Sequence, residues 1–351
     1  MEPTPLLDVV DQTVDLVTGD QTIQPVRSVS FQLRRGETFG IVGESGSGKS
    51  MLAKSLMHIL PDNARVAAGS SVRYDGRRVD ELPSREARHF WGTKMAMVFQ
   101  DPMTTLNPVR TIGAQMTDPL RYHLKLSRSA ARERAADLLA RVGLSEPKRR
   151  LGQHPHELSG GMRQRVVIAM ALSCDPELVI ADEPTTALDV TVQRQILDLL
   201  ADLRAERDLA MVLISHDLGL VSRHTDRVAV MYAGRFVEHA ASAAVFAGEG
   251  HPYTAALLDS MPRFDAPSHT RLRSIEGRPP DLRALPAGCS FAPRCRYADD
   301  RCRQERPRLL PVGPGHDVAC HRTEEAAAGA GTVLALGRDD PHELSIEQEV
   351  G

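Results

Sequence analysis

The octapeptide Gly43-Glu44-Ser45-Gly46-Ser47-Gly48-Lys49-Ser50 constrains this chain more than any other stretch. It follows the apolar run Thr38-Phe39-Gly40-Ile41-Val42 and precedes Met51–Leu60, which reads as a helix until Pro61 stops it. Glycines at these positions let backbone N–H groups converge on phosphate oxygens at a helix N-terminus. Lys49 then reaches the β- and γ-phosphates, and the Ser50 hydroxyl is the expected Mg²⁺ ligand. An ordinary glycine turn is the bland alternative, but the strand–loop–helix context argues against it.

A second glycine turn, Leu158-Ser159-Gly160-Gly161-Met162, stands just ahead of an acidic strand end. One γ-phosphate does not need two loops from one face. The turn makes sense if it closes over a nucleotide held by a neighbouring subunit.

The remaining pattern is α/β. Residues 6–35 read as strands, with alternation through Val26–Leu33 and a turn at Arg35-Gly36-Glu37. Residues 101–157 change character: Pro102, Pro108, Pro119, Pro147 and Pro155 punctuate them, and Ser129–Val142 is a charged amphipathic helix. This reads as a helical insertion into the core. From Gly160 a helix runs to Cys174-Asp175-Pro176, followed by a buried strand Leu178–Ala181, a helix Val190–Arg207 and a buried strand Met211–Ile214. Such alternation predicts a parallel sheet wrapped by helices. Residues 241–322 form a looser extension, and 323–351 read as a disordered tail.

Two carboxylates end the strand Ile180-Ala181-Asp182-Glu183. Asp182 is placed to join the Mg²⁺ shell, and Glu183 to act as general base on an attacking water. His216, in Ser215-His216-Asp217, ends the next strand and is expected to contact the γ-phosphate; alone it would equally be a packed or capping residue. Gln100 ends the run Met97-Val98-Phe99 and opens the insertion, as a hinge whose amide senses Mg²⁺ or water rather than a plain surface glutamine.

Composition narrows the function classes. The formal charge of −3 supports no nucleic-acid binder. No apolar run approaches the ~20 residues of a membrane helix, and Met1–Pro5 does not read as a secretory signal, so a cytosolic protein that reaches a membrane through partners is expected. Five cysteines in such a chain are not expected as disulfides. Cys174 reads as a small buried hydrophobe.

In this order the motifs resemble an ABC-transporter ATPase: Walker A at 43–50, Q-loop at Gln100, signature at 158–162, Walker B at 178–182 with Glu183, D-loop at Ala187-Leu188-Asp189 and switch His216. The likeness covers residues 6–240, with a helical subdomain at about 101–172. It implies a phosphate-loop NTPase fold, a RecA-like mixed sheet joined to an N-terminal antiparallel β part. It implies ATP and Mg²⁺ as ligands, with the nucleotide-binding set running from Gly43 through Ser50 to Met51 and including Gln100 and Asp182. It also implies a head-to-tail pair of ATPases in which Ser159, Gly160 and Gly161 meet the other subunit's γ-phosphate and Asp189 aligns the dimer. Two separate permease subunits and an extracytoplasmic solute-binding protein would complete a transporter, with this chain on the cytoplasmic face of the membrane. The rival class, an ABC protein acting on ribosomes or DNA, usually carries two fused ATPase domains or a long coiled coil. Neither is visible here.

Gln100–Pro108, His251-Pro252-Tyr253-Thr254, Pro279-Pro280-Asp281-Leu282 and Gly288–Cys295 resemble the di- and oligopeptide importer subgroup, a pattern nickel importers largely share. That subgroup implies a heterodimer of ATPases. Cys289, Cys295, Cys302 and Cys320 are spaced C-x5-C-x6-C-x17-C, unlike zinc knuckles with their C-x2-C pairs. Four thiolates suit Zn²⁺ or a [4Fe–4S] cluster; the resemblance favours iron–sulfur, with zinc and reduced free thiols as the alternatives. Two departures stand out. Arg296 replaces the proline usual after the second cysteine, and no aromatic precedes Phe31 where the family stacks adenine. The region around Leu16 is aliphatic instead, so binding should rest more on phosphates and base selectivity should relax.

Overall fold

The computed structural model describes residues 4–185, 190–247, 250–260 and 275–323. The expected tail beyond Thr323 and the D-loop residue Asp189 lie outside them. The chain divides into two compact units, one of residues 1–236 with 279–285, the other of 237–278 with 286–351.

The first unit holds two sheets. One is antiparallel: β1 (Leu7–Thr18) lies between β2 (Gln21–Leu33) and β5 (Ser71–Tyr74), β5 pairs with β6 (Arg77–Arg78), and β4 (Ala64–Val66) pairs with the far end of β1. The other is parallel. It contains β3 (Thr38–Val42), β7 (Met95–Val98), β8 (Leu178–Asp182), β9 (Ala210–Ser215) and β10 (Arg227–Tyr232), in the order β10-β3-β9-β8-β7. Strands β3, β7, β8 and β9 are buried along their whole length, which is why they read as unbroken apolar runs instead of alternating ones.

Helix α1 (Lys49–Leu56) follows the glycine loop. It ends well before Pro61, by a different device from the one expected. His58 takes φ 55°, its N–H donates to the Ser55 carbonyl, and the Ile59 N–H reaches back to the Lys54 carbonyl. That is a Schellman stop with a non-glycine residue in the left-handed position. Helix α2 (Ser84–Thr93) kinks at Trp91-Gly92.

Between β7 and β8 lie α3 (Pro102–Thr105), α4 (Ile112–His123), α5 (Arg128–Arg141), α6 (Pro147–Arg150) and α7 (Gly160–Ala171). Asp101, Thr111, Ser127 and Ser159 cap four of these helices by accepting from Met103, Ala114, Ala130 and Met162 N–H groups. Pro102 and Pro147 sit in first turns, where proline loses nothing. Pro119 instead lies inside α4, so it does not divide segments as its sequence position suggested. Helices α8 (Val190–Arg207) and α9 (Leu218–His224) complete the cover of the parallel sheet.

Strand β11 (Arg235–Ala241) enters the second unit at Val237 and pairs there with β13 (His316–Val318), which pairs with β12 (Leu310–Gly313). Helices α10 (Ser242–Ala247), α11 (Pro252–Asp259) and α12 (Asp300–Gln304) accompany them. A fully buried carboxylate, Glu238, organises this unit. It accepts from the His251 N–H at 2.8 Å and the Thr254 hydroxyl at 2.5 Å, and meets His316 Nε2 at 2.9 Å.

Candidate nucleotide site

Four strands deliver the site from their carboxyl ends: β3 feeds the glycine loop, β7 leads to Gln100, β8 ends at Asp182-Glu183, and β9 leads to His216. Ligands of open α/β sheets bind at that edge. The loop's glycines are fixed by their neighbours. A Cβ on Gly43 would stand 2.2 Å from the Met231 carbonyl oxygen, and one on Gly48 2.0 Å from that of Pro25. Both glycines also take positive φ, 153° and 109°. The Gly234 N–H donates to the Ser47 carbonyl at 2.8 Å, tying the loop to the turn after β10.

Lys49 is buried, and its ammonium donates to the Gly43 and Glu44 carbonyls at 2.8 and 3.0 Å. Burial lowers its pKa, opposed by Glu183, Asp182 and Glu44. The Ser50 hydroxyl donates to Asp182 Oδ1 at 3.0 Å. Burial raises the Asp182 pKa, the Ser50 hydrogen bond pulls it down, and Glu183 raises it further. This corner concentrates negative charge opposite a buried cation, as a phosphate–metal site requires.

Glu183 is buried and takes φ 46°, an unusual conformation for a non-glycine residue, held by its N–H donating to the Ile214 carbonyl at 2.9 Å. Its Oε2 accepts from Gln100 Nε2 at 2.9 Å and lies 3.2 Å from His216 Nδ1. Gln100, Asp182, Glu183, His216, Lys49 and Ser50 therefore form one constellation. Glu44, Ser45 and Gly46 lie along the loop's open side, and Met51 packs partly against the core.

Ser159-Gly160-Gly161 stands apart, at the exposed N-terminus of α7. Gly161 packs against α8: a Cβ there would come 3.0 Å from Val192 Cγ1. Pro25, Met231 and Gly234, which shape the loop, escaped the sequence reading. No local motif marks them, because their role comes from a close approach between distant segments.

In the second unit, Cys289, Cys295, Cys302 and Cys320 line one cavity with His251 and Phe291. Burial raises the pKa of all four thiols, Cys289 to about 11. Backbone amides of Phe291 and Ala292 oppose this at Cys289, that of Tyr297 at Cys295, and those of Arg322 and Thr323 at Cys320. Among the described residues no three His, Cys, Asp or Glu side chains are grouped to hold a single metal ion, and no helix is long and apolar enough to cross a membrane.

A glycine loop with a buried lysine, a serine hydroxyl on a strand-end aspartate and an adjoining glutamate define a phosphate-loop nucleoside triphosphatase. Residues 26–186 match the ABC transporter family model, and the chain is 47% identical over 320 residues to a probable peptide ABC transporter ATP-binding protein of Sinorhizobium fredii, covering 91% of this chain and 96% of that protein. The chain belongs to the family of ABC transporter ATP-binding proteins, ATPases that power transport. Residues 237–302 match the C-terminal region of oligopeptide/dipeptide transporters. The dipeptide transport ATP-binding protein of Bacillus subtilis is 44% identical, over 93% of this chain and 97% of its own. The oligopeptide transport ATP-binding protein of Escherichia coli is 46% identical, over 91% and 94%. Among solved structures, a dimeric bacterial ABC transporter cassette superposes with a TM-score of 0.61 at 28% identity, over 67% of this chain and 98% of its own.

Proposed function

We propose that this chain is the ATP-hydrolysing motor of an importer for di- or oligopeptides, bound at the cytoplasmic face of the membrane. The observation that carries the chemistry is Glu183, whose Oε2 is shared by Gln100 and His216 beside the Ser50–Asp182 pair. In this reading Glu183 is the general base, His216 contacts the γ-phosphate, and Gln100 senses Mg²⁺ or water. Gly43 through Met51 hold the phosphates, while Ser50 and Asp182 hold Mg²⁺. Ser159, Gly160 and Gly161 complete a site on a second ATPase subunit, with Asp189 aligning the pair. The exposed seat of this turn and the dimeric state of the related cassette support that assignment.

The cargo reading rests on the relatives' names and the matched C-terminal region. Permease contact is supported by an apolar groove of about 350 Å³ lined by Met57, Ile59, Trp91, Phe99, Pro119 and His123. A solute-binding protein outside the membrane would deliver the peptide. A [4Fe–4S] cluster at Cys289, Cys295, Cys302 and Cys320 is part of the proposal. Backbone amides beside Cys289, Cys295 and Cys320 only partly offset the burial that favours their neutral thiols. The four cysteines' shared cavity and the resemblance carried by Gly288–Cys295 are what support the cluster, with Zn²⁺ as the alternative.

Affinity purification from the native membrane tests the function. Two integral membrane proteins and a second ATPase should co-purify, and peptide-loaded binding protein should stimulate turnover of the reconstituted assembly. Ribosomes in place of permeases would refute it.

A further inference from the structure

The turn between α4 and α5 gathers positive charge that the nucleotide site does not use. Residues 119–132 contain Arg121, Lys125, Arg128 and Arg132 and no aspartate or glutamate, in a chain whose formal charge is −3. All four are exposed, and Arg121, Arg128 and Arg132 have no acidic or hydrogen-bonding partner among the described residues. The nearest acids along the chain are directed elsewhere. Asp118 accepts from Arg110 at 2.7 Å, and Glu133 lies about 100° round α5 from Arg132.

Helix stability does not account for this charge. Arg121 stands in the last turn of α4, where a cation complements the helix dipole. Arg128 does the reverse: it occupies the first position of α5, whose first turn has no acid to offset it. Tyr122 is 55% exposed between these cations, and the Lys125 ammonium stands 5.3 Å from its ring centroid. The positive field also reaches His123, whose pKa is lowered by burial and further by His89 and Lys125.

The place of the turn limits what can meet it. Pro119 and His123 line the apolar groove assigned above to the permease, and Arg121 lies about half a turn round α4 from both. A permease segment filling that groove therefore leaves Arg121 uncovered on its flank. Unpaired guanidinium and ammonium groups suit phosphate oxygens, and an exposed tyrosine suits the boundary between headgroups and acyl chains.

We propose that the α4–α5 turn rests on anionic phospholipid headgroups beside the permease, held through Arg121, Lys125, Arg128 and Arg132 with Tyr122 at the headgroup level. The inference rests on the importer reading above and adds the lipid surface as a partner of the same subunit. It gives the motor its own hold on the cytoplasmic leaflet, whose anionic lipids attract basic segments.

Sedimentation of the full-length protein with permease-free vesicles tests this. Phosphatidylcholine vesicles containing one third phosphatidylglycerol should bind it, and pure phosphatidylcholine should not. Salt at about 1 M, where the Debye length falls to about 3 Å, should release it. Arg121→Gln combined with Lys125→Gln should weaken binding by about 25-fold, or about fivefold per charge. Lys148→Gln combined with Arg149→Gln removes equal charge from the exposed side of α6 and should change binding by less than about twofold. Both double variants should keep wild-type ATP turnover. Equal binding to the two vesicle types, or equal weakening by the two double variants, overturns the inference. So does an Arg121/Lys125 variant that binds vesicles normally but no longer co-purifies with the permease. Because the vesicles hold no permease, the vesicle failures leave the importer reading standing, whereas ribosomes in place of permeases overturn that reading and leave vesicle binding untouched.

Discussion

Ser50 donates its hydroxyl to Asp182 across 3.0 Å, spanning the start of α1 and the end of β8. Burial keeps the Asp182 pKa above its ordinary value, with Glu183 adding to the effect. A carboxylate whose folded pKa is raised contributes stability below its unfolded pKa, and that contribution is lost as pH rises through the folded value. At neutral pH the nucleotide-free protein therefore carries a destabilising charge. Asp182→Asn should raise its melting temperature by roughly a few degrees and abolish the further rise produced by Mg²⁺-ATP. Calorimetric scans with and without ligand check both signs; an unchanged ligand response would remove Asp182 from the metal site.

Glu183→Gln preserves the shape of the contact with Gln100 and His216 but removes the carboxylate proposed as the base. Turnover should fall by about 10²–10⁴ with ATP affinity retained. Sedimentation in ATP should reveal a persistent closed dimer. Wild-type turnover would exclude Glu183 as the base.

A second prediction about charge concerns the opposite edge of the sheet. Glu177 meets Arg35 at 2.7 Å, the Tyr74 hydroxyl at 3.1 Å and the Lys94 ammonium. Burial alone would raise its pKa, but the bonds from Lys94 and Arg35 outweigh this and draw it down to about 2. A depressed carboxylate contributes stability above its unfolded pKa of 4.5, lost as pH falls towards 2. Discounted for partial exposure, Glu177→Gln should cost about 1–2 kcal/mol at pH 7, and the gap to wild type should narrow from pH 5 downward. Urea unfolding at pH 7 and pH 3 measures it, and an equal gap at both would contradict the ionic origin.

Anaerobically purified protein should be brown, with iron and acid-labile sulfide in equal amounts. Cys320→Ser should lose the chromophore while ATP affinity stays within about twofold. One equivalent of zinc in a colourless protein would decide against iron–sulfur.

Legibility in the sequence followed the range of the interactions. Lys49, Ser50, Asp182 and Glu183 were readable because strand, turn and helix signals surround each within a few residues. Their meeting with Gln100 and His216 followed from all four strands ending on one edge of a parallel sheet. The cradle of Pro25, Met231 and Gly234 was invisible, since it depends on contacts between segments some two hundred positions apart. Helix ends are not legible where backbone geometry overrides residue type. His58 stops α1 in a conformation that favours glycine, and Pro119 is tolerated within α4.

The first turn of α8 touches two places at once: Val192 fills the space beside Gly161, and Gln193 Nε2 donates to the Thr185 carbonyl at 3.1 Å, just past Asp182-Glu183. Consecutive residues thus gear the exit of the carboxylate strand to the Ser159-Gly160-Gly161 turn. On the pairing proposed above, in which that turn completes a second subunit's site, a shift at one active site would reach the other through a single lever, so the two ATPs of a dimer would be consumed in relation to each other and not at random.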